Sequence, residues 1–247
     1  MFKLKKINYL YKKNFYIFNI NNCFSENFYE DLKSGLPNAE NAKYAFENGK
    51  FTISSRTEQW KKILLNHPAL NDFVNYFMTK KNLYYLYFSL LPKLIYSRRN
   101  RLLDVIKLIR IPRFHIEEFK KNRFFNDISV GFQISYISNL GKIVPHTDNV
   151  SKLLSLMIYF PEKIINEVDF GTTFYESNVE NFNNKHLESD QDEIFFKNNT
   201  KVVYKAPFIE NVMYGFIKNR YSWHSVDQIR AGKNYFRKSI NINFNLI

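Results

Sequence analysis

Two patterns of apolar residues divide the chain near residue 127. Before that point apolar residues recur three and four positions apart, as in Trp60, Ile63 and Leu64, which is typical of a helix with one buried face. The pattern predicts helices at 26–32, 57–66, 69–79 and 83–91, and less clearly at 92–108. A strand at 15–20 precedes them, and we expect it at the edge of a sheet; a further short strand is predicted at 50–54.

After residue 127 the chain consists of short runs of β-forming residues separated by turns. The runs predict strands at 128–138, 143–148, 153–160, 171–176, 201–206, 212–217, 222–226 and 235–244. Roughly eight short strands are typical of a double-stranded β-helix, the jelly roll shared with cupins. We expect an α+β fold in which N-terminal helices pack on one side of this core.

The same patterns bound the domain organisation. We expect a single domain over 1–247, with a mainly helical part at 1–126 and a jelly-roll core at 127–247. The polar segment at 177–200, which includes His186, is predicted to be an insertion or a lid.

Composition excludes several classes of protein. Hydrophobic residues make up 45% and aromatic residues 18% of the 247 positions, which excludes global disorder. Cys23 is the single cysteine, so an intrachain disulfide is excluded and a reducing, cytoplasmic setting is expected. We expect no secretory signal, because residues 1–13 are basic without an apolar core, and no membrane span, because no apolar run approaches about 20 residues.

The formal net charge of +13 suggests a nucleic acid or an anionic surface as partner. However, the lysines are scattered along the chain, and Lys, Asn, Ile, Phe and Tyr are all abundant. We therefore attribute the charge to a compositional bias and do not expect a nucleic-acid partner. Five arginines form one local basic cluster, which indicates either a solvated helix face or a site for an anionic substrate. Its members are Arg98, Arg99, Arg101, Arg110 and Arg113.

The candidate chemistry lies at 144–160. His146 and Asp148 are two residues apart before an apolar run, and in a strand such residues point to the same face. The pair suits one side of a divalent metal, and His224, in a predicted strand further on, is the candidate third ligand. Two histidines and one carboxylate form the facial triad typical of non-haem Fe(II) oxygenases.

The predicted final strand alternates polar and apolar residues. Arg237, Ser239, Asn241 and Asn243 would occupy one face, and Ile240, Ile242 and Phe244 the other. An arginine and a hydroxyl on an inward face can bind a carboxylate through charge-assisted hydrogen bonds.

The order of H-x-D, distal histidine and R-x-S resembles that of the Fe(II)- and 2-oxoglutarate-dependent oxygenase superfamily. Within it, the prolyl-4-hydroxylase-like branch is the most similar, because a tyrosine-containing strand at 132–136 precedes the H-x-D and a GGT-like turn at 170–175 follows it. Phe170 departs from the first glycine usual in that turn. The motifs extend from about residue 130 to the C-terminus, roughly half of the chain.

The resemblance implies residue roles. His146, Asp148 and His224 would bind Fe(II), as both metal ligands and catalytic residues. Arg237, assisted by Ser239, would bind the distal carboxylate of the co-substrate 2-oxoglutarate, and Tyr136 would donate a hydrogen bond to the keto acid. The implied enzyme is a dioxygenase that uses molecular oxygen to hydroxylate a small-molecule, peptidyl or sugar substrate, with release of succinate and carbon dioxide.

Alternatives remain open at this stage. The chain could be a non-catalytic jelly-roll binding module with a vestigial metal site, which a lack of iron affinity would indicate. It could also be an oxygenase acting on nucleic acid, which strongly salt-dependent binding would indicate. A small-molecule substrate is preferred, but the sequence does not identify it, nor does it distinguish hydroxylation from desaturation or ring closure.

Overall fold

The computed structural model describes residues 6–42, 44–46, 48–116, 127–164, 167–177, 187 and 190–247. His186 and much of the predicted lid at 177–200 therefore lie outside the described residues.

The described residues form six α-helices, two short 3-10 helices and thirteen strands. The helices are α1 (Glu26–Ser34), α2 (Gln59–Asn66), α3 (Pro68–Phe77), α4 (Lys80–Ser97), α5 (Leu102–Leu108) and α6 (Asp190–Asn199). The 3-10 helices are Ala39–Asn41 and Glu167–Phe170. The strands are β1 (Asn8–Tyr11), β2 (Tyr16–Asn21), β3 (Tyr44–Phe46), β4 (Lys50–Ser54), β5 (Arg113–Ile116), β6 (Asp127–Ser138), β7 (Ile143–His146), β8 (Lys152–Phe160), β9 (Thr172–Glu176), β10 (Lys201–Lys205), β11 (Val212–Ile217), β12 (Trp223–Val226) and β13 (Phe236–Leu246).

The strands form two sheets. The larger has nine strands in the order β1-β2-β11-β8-β13-β6-β4-β3, with β5 running parallel beside β6. The smaller has four strands in the order β10-β9-β12-β7. The eight strands predicted after residue 127 are all present, as β6 to β13. The predicted α+β fold class, with a core of two β-sheets, is confirmed.

The larger sheet is buried on both faces. One face packs against the smaller sheet, where Tyr159 and Phe216 share a core with Phe174. The other face packs against the helices, where Ile158 and Ile242 share a second core with helical side chains. Members of that second core from the helices include Leu70, Phe73, Leu86 and Leu90. The predicted packing of helices on one side is therefore confirmed, and it leaves the space between the sheets for a site.

The N-terminal half departs from the prediction in three places. It contributes five strands, β1 to β5, to the larger sheet, whereas the sequence indicated only the two at 15–20 and 50–54, which correspond to β2 and β4. Strand β2 lies between β1 and β11 rather than at an edge, because its apolar residues are buried on both faces. Helix α4 continues through Pro92, which has no N–H to donate to the carbonyl of Phe88, four residues earlier. Both residues lie on the exposed side of the helix, where water can bind that carbonyl instead.

None of the described helices has both the length and the apolar character that crossing a membrane requires.

Candidate metal centre

The two predicted histidine ligands lie opposite each other in the smaller sheet. Strands β7 and β12 are antiparallel, and His224 on β12 pairs in register with His146, the last residue of β7. Directly paired residues of neighbouring strands point to the same face. The two imidazole rings consequently lie side by side, with centroids 4.3 Å apart.

Asp148 completes a cluster with these histidines. It lies two residues beyond the end of β7, so the strand is shorter than the sequence predicted, yet Asp148 Oδ2 is 3.8 Å from His224 Nε2. One potential ligand atom from each of His146, Asp148 and His224 lies within 4.8 Å of the other two. The structure therefore brings together the three residues predicted to bind metal.

Backbone carbonyls fix the tautomer of both imidazoles. His146 Nδ1 is 2.9 Å from the carbonyl oxygen of Val144, and His224 Nδ1 is 3.0 Å from that of Ser222. Since a carbonyl oxygen only accepts, each Nδ1 carries the hydrogen and donates it, which leaves the lone pair on Nε2. Histidines that bind metals are commonly oriented by such a bond from their second nitrogen.

Only one of the two carboxylate oxygens of Asp148 accepts a hydrogen bond from a described residue. Its Oδ1 accepts a hydrogen bond of 2.6 Å from Lys152 Nζ, whereas its Oδ2 is buried and has no hydrogen-bond partner. Burial alone would raise the pKa of Asp148, but the positive charge of Lys152, and that of the two histidines where acid protonates them, lower it well below its usual range. Burial lowers the pKa of His224. Near neutral pH this gives an ionised carboxylate beside a neutral imidazole, the states that metal binding requires.

These features fit a divalent cation. An ionised carboxylate oxygen without a partner is costly to bury, and a bound cation would remove that cost. The donor set of two imidazole nitrogens and one carboxylate oxygen is the one expected for non-haem Fe(II).

Arg237 lies in the same cavity, on β13. Its side chain is 2% exposed, and its Nε donates a hydrogen bond to the carbonyl of Phe170. Its Nη1 is 3.4 Å from Ser239 Oγ. The guanidinium carbon lies 4.9 Å from the centre of the Tyr159 ring and 5.0 Å from that of Phe208. The carbonyl of Phe170, the position that departs from the usual glycine, thus helps to fix the arginine.

The guanidinium of Arg237 lacks a counter-ion within the described part of the chain. No acidic side chain there lies within ion-pair distance of it, and burial lowers the pKa of Arg237. Arg237 and Ser239 line one cavity together with the candidate metal ligands. A buried cation without a carboxylate is a binding position for an anion. The cavity therefore suits a metal together with a ligand that bears a carboxylate.

The fold matches a known structure. No protein-family model matches the sequence, and no curated protein matches it significantly. A prolyl-4-hydroxylase from Pseudomonas putida is structurally similar, with a TM-score of 0.51 and 11% sequence identity, over 94% of this chain and 92% of that chain. The chain has the fold of that hydroxylase. This likeness confirms the predicted jelly-roll core.

Two further oxygenase structures are similar at lower scores. One is a prolyl hydroxylase from Trichoplax adhaerens, in complex with a hypoxia inducible factor peptide fragment, with a TM-score of 0.46, 13% identity, and coverage of 93% of this chain and 83% of that chain. The other is an oxidoreductase of the 2OG-Fe(II) oxygenase family from Burkholderia pseudomallei, with a TM-score of 0.47, 11% identity, and coverage of 94% and 84%.

Tyr136 does not reach the cavity of this hydroxylase-like fold. Successive residues of β6 point to opposite faces, and Gln133 and Ser135 face the cavity while Ile134 and Tyr136 belong to the core under the helices. The Tyr136 hydroxyl donates a hydrogen bond to the carbonyl of Pro37. The predicted hydrogen bond from Tyr136 to the keto acid is therefore corrected, because the strand directs this side chain to the other side of the sheet.

Two lysines of the cavity were not predicted from the sequence. Lys152 forms the ion pair with Asp148, and Lys50 on β4 lines the cavity from the larger sheet. Burial, together with the charge of Lys152, lowers the pKa of Lys50 to about 8, although Asp148 opposes the shift. The i to i+4 spacing of Asp148 and Lys152 could have suggested their pair, but nothing in the sequence placed Lys50 at this site.

Proposed function

We propose that this protein is an Fe(II)- and 2-oxoglutarate-dependent dioxygenase that hydroxylates a small-molecule substrate, with release of succinate and carbon dioxide. The proposal rests on one cavity that combines three converging metal ligands with a buried arginine that has no acidic partner among the described residues. The prolyl-4-hydroxylase fold supports it, because the order of H-x-D, distal histidine and R-x-S in this sequence independently resembles that of the oxygenases with a prolyl-4-hydroxylase-like branch.

Each residue of the cavity has a defined role in the proposal. His146, Asp148 and His224 would hold Fe(II) through two Nε2 atoms and a carboxylate oxygen. Arg237, with Ser239 beside it, would bind the distal carboxylate of 2-oxoglutarate. The iron, when bound, would activate molecular oxygen for oxidation of a substrate C–H bond at the expense of the keto acid.

The surrounding residues would keep these groups in position. The carbonyls of Val144 and Ser222 hold both imidazoles with Nε2 toward the metal position. The ammonium of Lys152 keeps Asp148 ionised and limits its rotation. Around Arg237, the rings of Tyr159 and Phe208 exclude water, which strengthens charge-assisted hydrogen bonds to a bound carboxylate.

The cavity wall supports a small polar substrate. Side chains from both sheets enclose the cavity, and one wall carries a row of amides and hydroxyls that can donate to and accept from a bound molecule. The members of this row are Gln133, Ser135, Ser155, Asn241 and Asn243. A vestigial metal site is not favoured, because the ligand atoms converge and both imidazoles are oriented for binding.

An anaerobic titration with Fe(II) and 2-oxoglutarate tests the proposal. We expect a visible metal-to-ligand charge-transfer band in the parent protein, which Asp148→Ala and Arg237→Met should abolish or weaken. Lys238→Met is the matched control, since Lys238 neighbours Arg237 on β13 but pairs with Glu162 outside the cavity. A parent protein that retains no iron and shows no band would overturn the enzyme proposal.

A further inference from the structure

A second pocket lies where the C-terminal end of α4 meets the connection between β11 and β12. It shares no lining residue with the candidate metal cavity. Five of its lining side chains are cationic and none is acidic, and we call it the arginine pocket. The cations are Arg98, Arg99, Arg101, Lys218 and Arg220. Three of them come from the basic cluster noted in the sequence, whereas Arg110 and Arg113 are exposed elsewhere.

Lys218 is a buried cation without an acidic partner in the part of the chain that the structure describes. It is 1% exposed, and its Nζ donates a hydrogen bond of 3.1 Å to the carbonyl of Asn219. An ammonium group has three donors, so this bond leaves it incompletely satisfied. Burial lowers the pKa of Lys218 to about 8; Asp148 opposes this shift, and the charge of Arg98 adds to it. Such a group is stabilised when an anion binds beside it.

Arg98 gives a second and independent indication. It is 3% exposed, and its Nε is buried without a hydrogen-bond partner. Its terminal nitrogens donate to the carbonyls of Val150 and Lys152, which connects the pocket to the segment that follows Asp148.

A single carboxylate serves two arginines beside the pocket. Asp104 lies 3.4 Å from Arg98 Nη1 and 2.8 Å from Arg101 Nε. Among the described residues, Asp104 is the acidic partner of Arg98 and Arg101, and Lys218 has none, so the net charge of these four groups is about +2 by simple addition (3 − 1). Like charges held this close repel each other, and the repulsion is stronger where water is partly excluded.

We propose that the arginine pocket binds a phosphate group. A phosphate dianion offers several acceptor oxygens to guanidinium and ammonium donors, and arginine matches its geometry with paired hydrogen bonds. The bound anion would offset the repulsion among the cations and give Lys218 the partner that it lacks. The phosphate could be inorganic phosphate or the phosphate of a small ester, since both present the same oxyanion. This proposal does not depend on the function proposed for the metal cavity.

Isothermal titration calorimetry with inorganic phosphate at constant ionic strength tests this proposal on the full chain. The pocket variants are Lys218→Met and Arg220→Gln, which leave the deeply buried Arg98 in place. The matched controls are Lys233→Met and Arg230→Gln, both at exposed positions of the turn before β13. We expect saturable binding to the parent protein and to both controls, and at least about tenfold weaker binding to both pocket variants.

A thermal unfolding measurement separates binding from damage to the fold. Lys218→Met removes a buried charge and keeps a similar volume, so its unfolding temperature without phosphate should equal or exceed that of the parent. Phosphate should raise the unfolding temperature of the parent but not of this variant.

A second titration, with adenosine monophosphate, distinguishes a phosphate ester from inorganic phosphate as the ligand. Binding at least about tenfold tighter than that of inorganic phosphate would indicate an ester as ligand, and equal binding would indicate free phosphate. The proposal is overturned if phosphate does not bind saturably, or if binding is the same in the pocket variants as in their controls.

Discussion

Replacing Arg237 by methionine should weaken binding of 2-oxoglutarate far more than it affects the fold. Methionine keeps most of the volume of the side chain but removes the guanidinium, so the distal carboxylate would lie in a buried position without its donor. Removing one partner of a buried, hydrogen-bonded charge pair costs about 2–5 kcal/mol. Taking about 3 kcal/mol as the central value, we expect the Kd for 2-oxoglutarate to rise roughly 150-fold.

The effect on stability should be small because opposing contributions nearly cancel. The variant loses the hydrogen bond to the Phe170 carbonyl and the contacts of the guanidinium with the Tyr159 and Phe208 rings. It gains from no longer burying a cation that has no acidic partner among the described residues, a charge whose desolvation costs several kcal/mol. We expect the unfolding temperature to change by less than about 5 °C.

Anaerobic titration of the Fe(II)-loaded protein with 2-oxoglutarate measures this loss, with Lys238→Met as the control. Lys238 is the next residue on the strand, points away from the cavity and pairs with Glu162, so its replacement should leave the Kd within about twofold. The reasoning would be refuted if Arg237→Met bound 2-oxoglutarate as tightly as the parent, or if Lys238→Met weakened binding to the same extent.

Three further predictions concern pH, packing and the corrected tyrosine. The pKa of Lys218 is about 8 in the folded protein, below its value of 10.5 in an unfolded chain, so the unfolded state binds more protons between these values and stability should rise with pH. Denaturant unfolding should show a rise of roughly 2 kcal/mol between about pH 7.5 and 9.5 that Lys218→Met lacks. Gly215→Ala would place a Cβ 2.3 Å from Phe18 Cζ, and should lower the free energy of unfolding by about 2 kcal/mol, whereas Gly232→Ala meets no atom within 4 Å and should be neutral. Tyr136→Phe removes the hydrogen bond to a buried carbonyl and should cost about 1 kcal/mol in unfolding experiments while the Kd for 2-oxoglutarate stays unchanged; a weaker Kd would restore the role predicted from the sequence.

Alternation along a strand was enough to predict the two faces of β13. Arg237 and Ser239 line the cavity, while Ile240 and Ile242 face the helices, as the sequence indicated. The same rule applied to β6 would have placed Tyr136 on the helix side, together with Ile134. The error arose because the resemblance suggested a role for the tyrosine and the alternation of its own strand was not applied to it.

Other features depend on contacts that no local pattern records. The pairing of His146 with His224 joins strands that are far apart in the chain, so the sequence indicated the ligand types but not their register. The burial of Lys218 and the position of the half-buried Lys50 in the metal cavity were not predictable, because lysine is usually exposed and neither position carries a motif. The basic cluster was visible at Arg98, but only the packing of α4 against the β11–β12 connection shows which arginines share a pocket.

The double pairing of β13 restricts how this protein can change in length during evolution. The strand pairs with β6 on one side and β8 on the other, and a shift by one residue would put Lys238 in place of Arg237 and turn the apolar face toward the cavity. Insertions or deletions of single residues within 236–246 should therefore be eliminated by selection, even where a substitution would be tolerated. The preceding turn at 230–234 is largely exposed, so related chains should vary in length there and keep the strand intact.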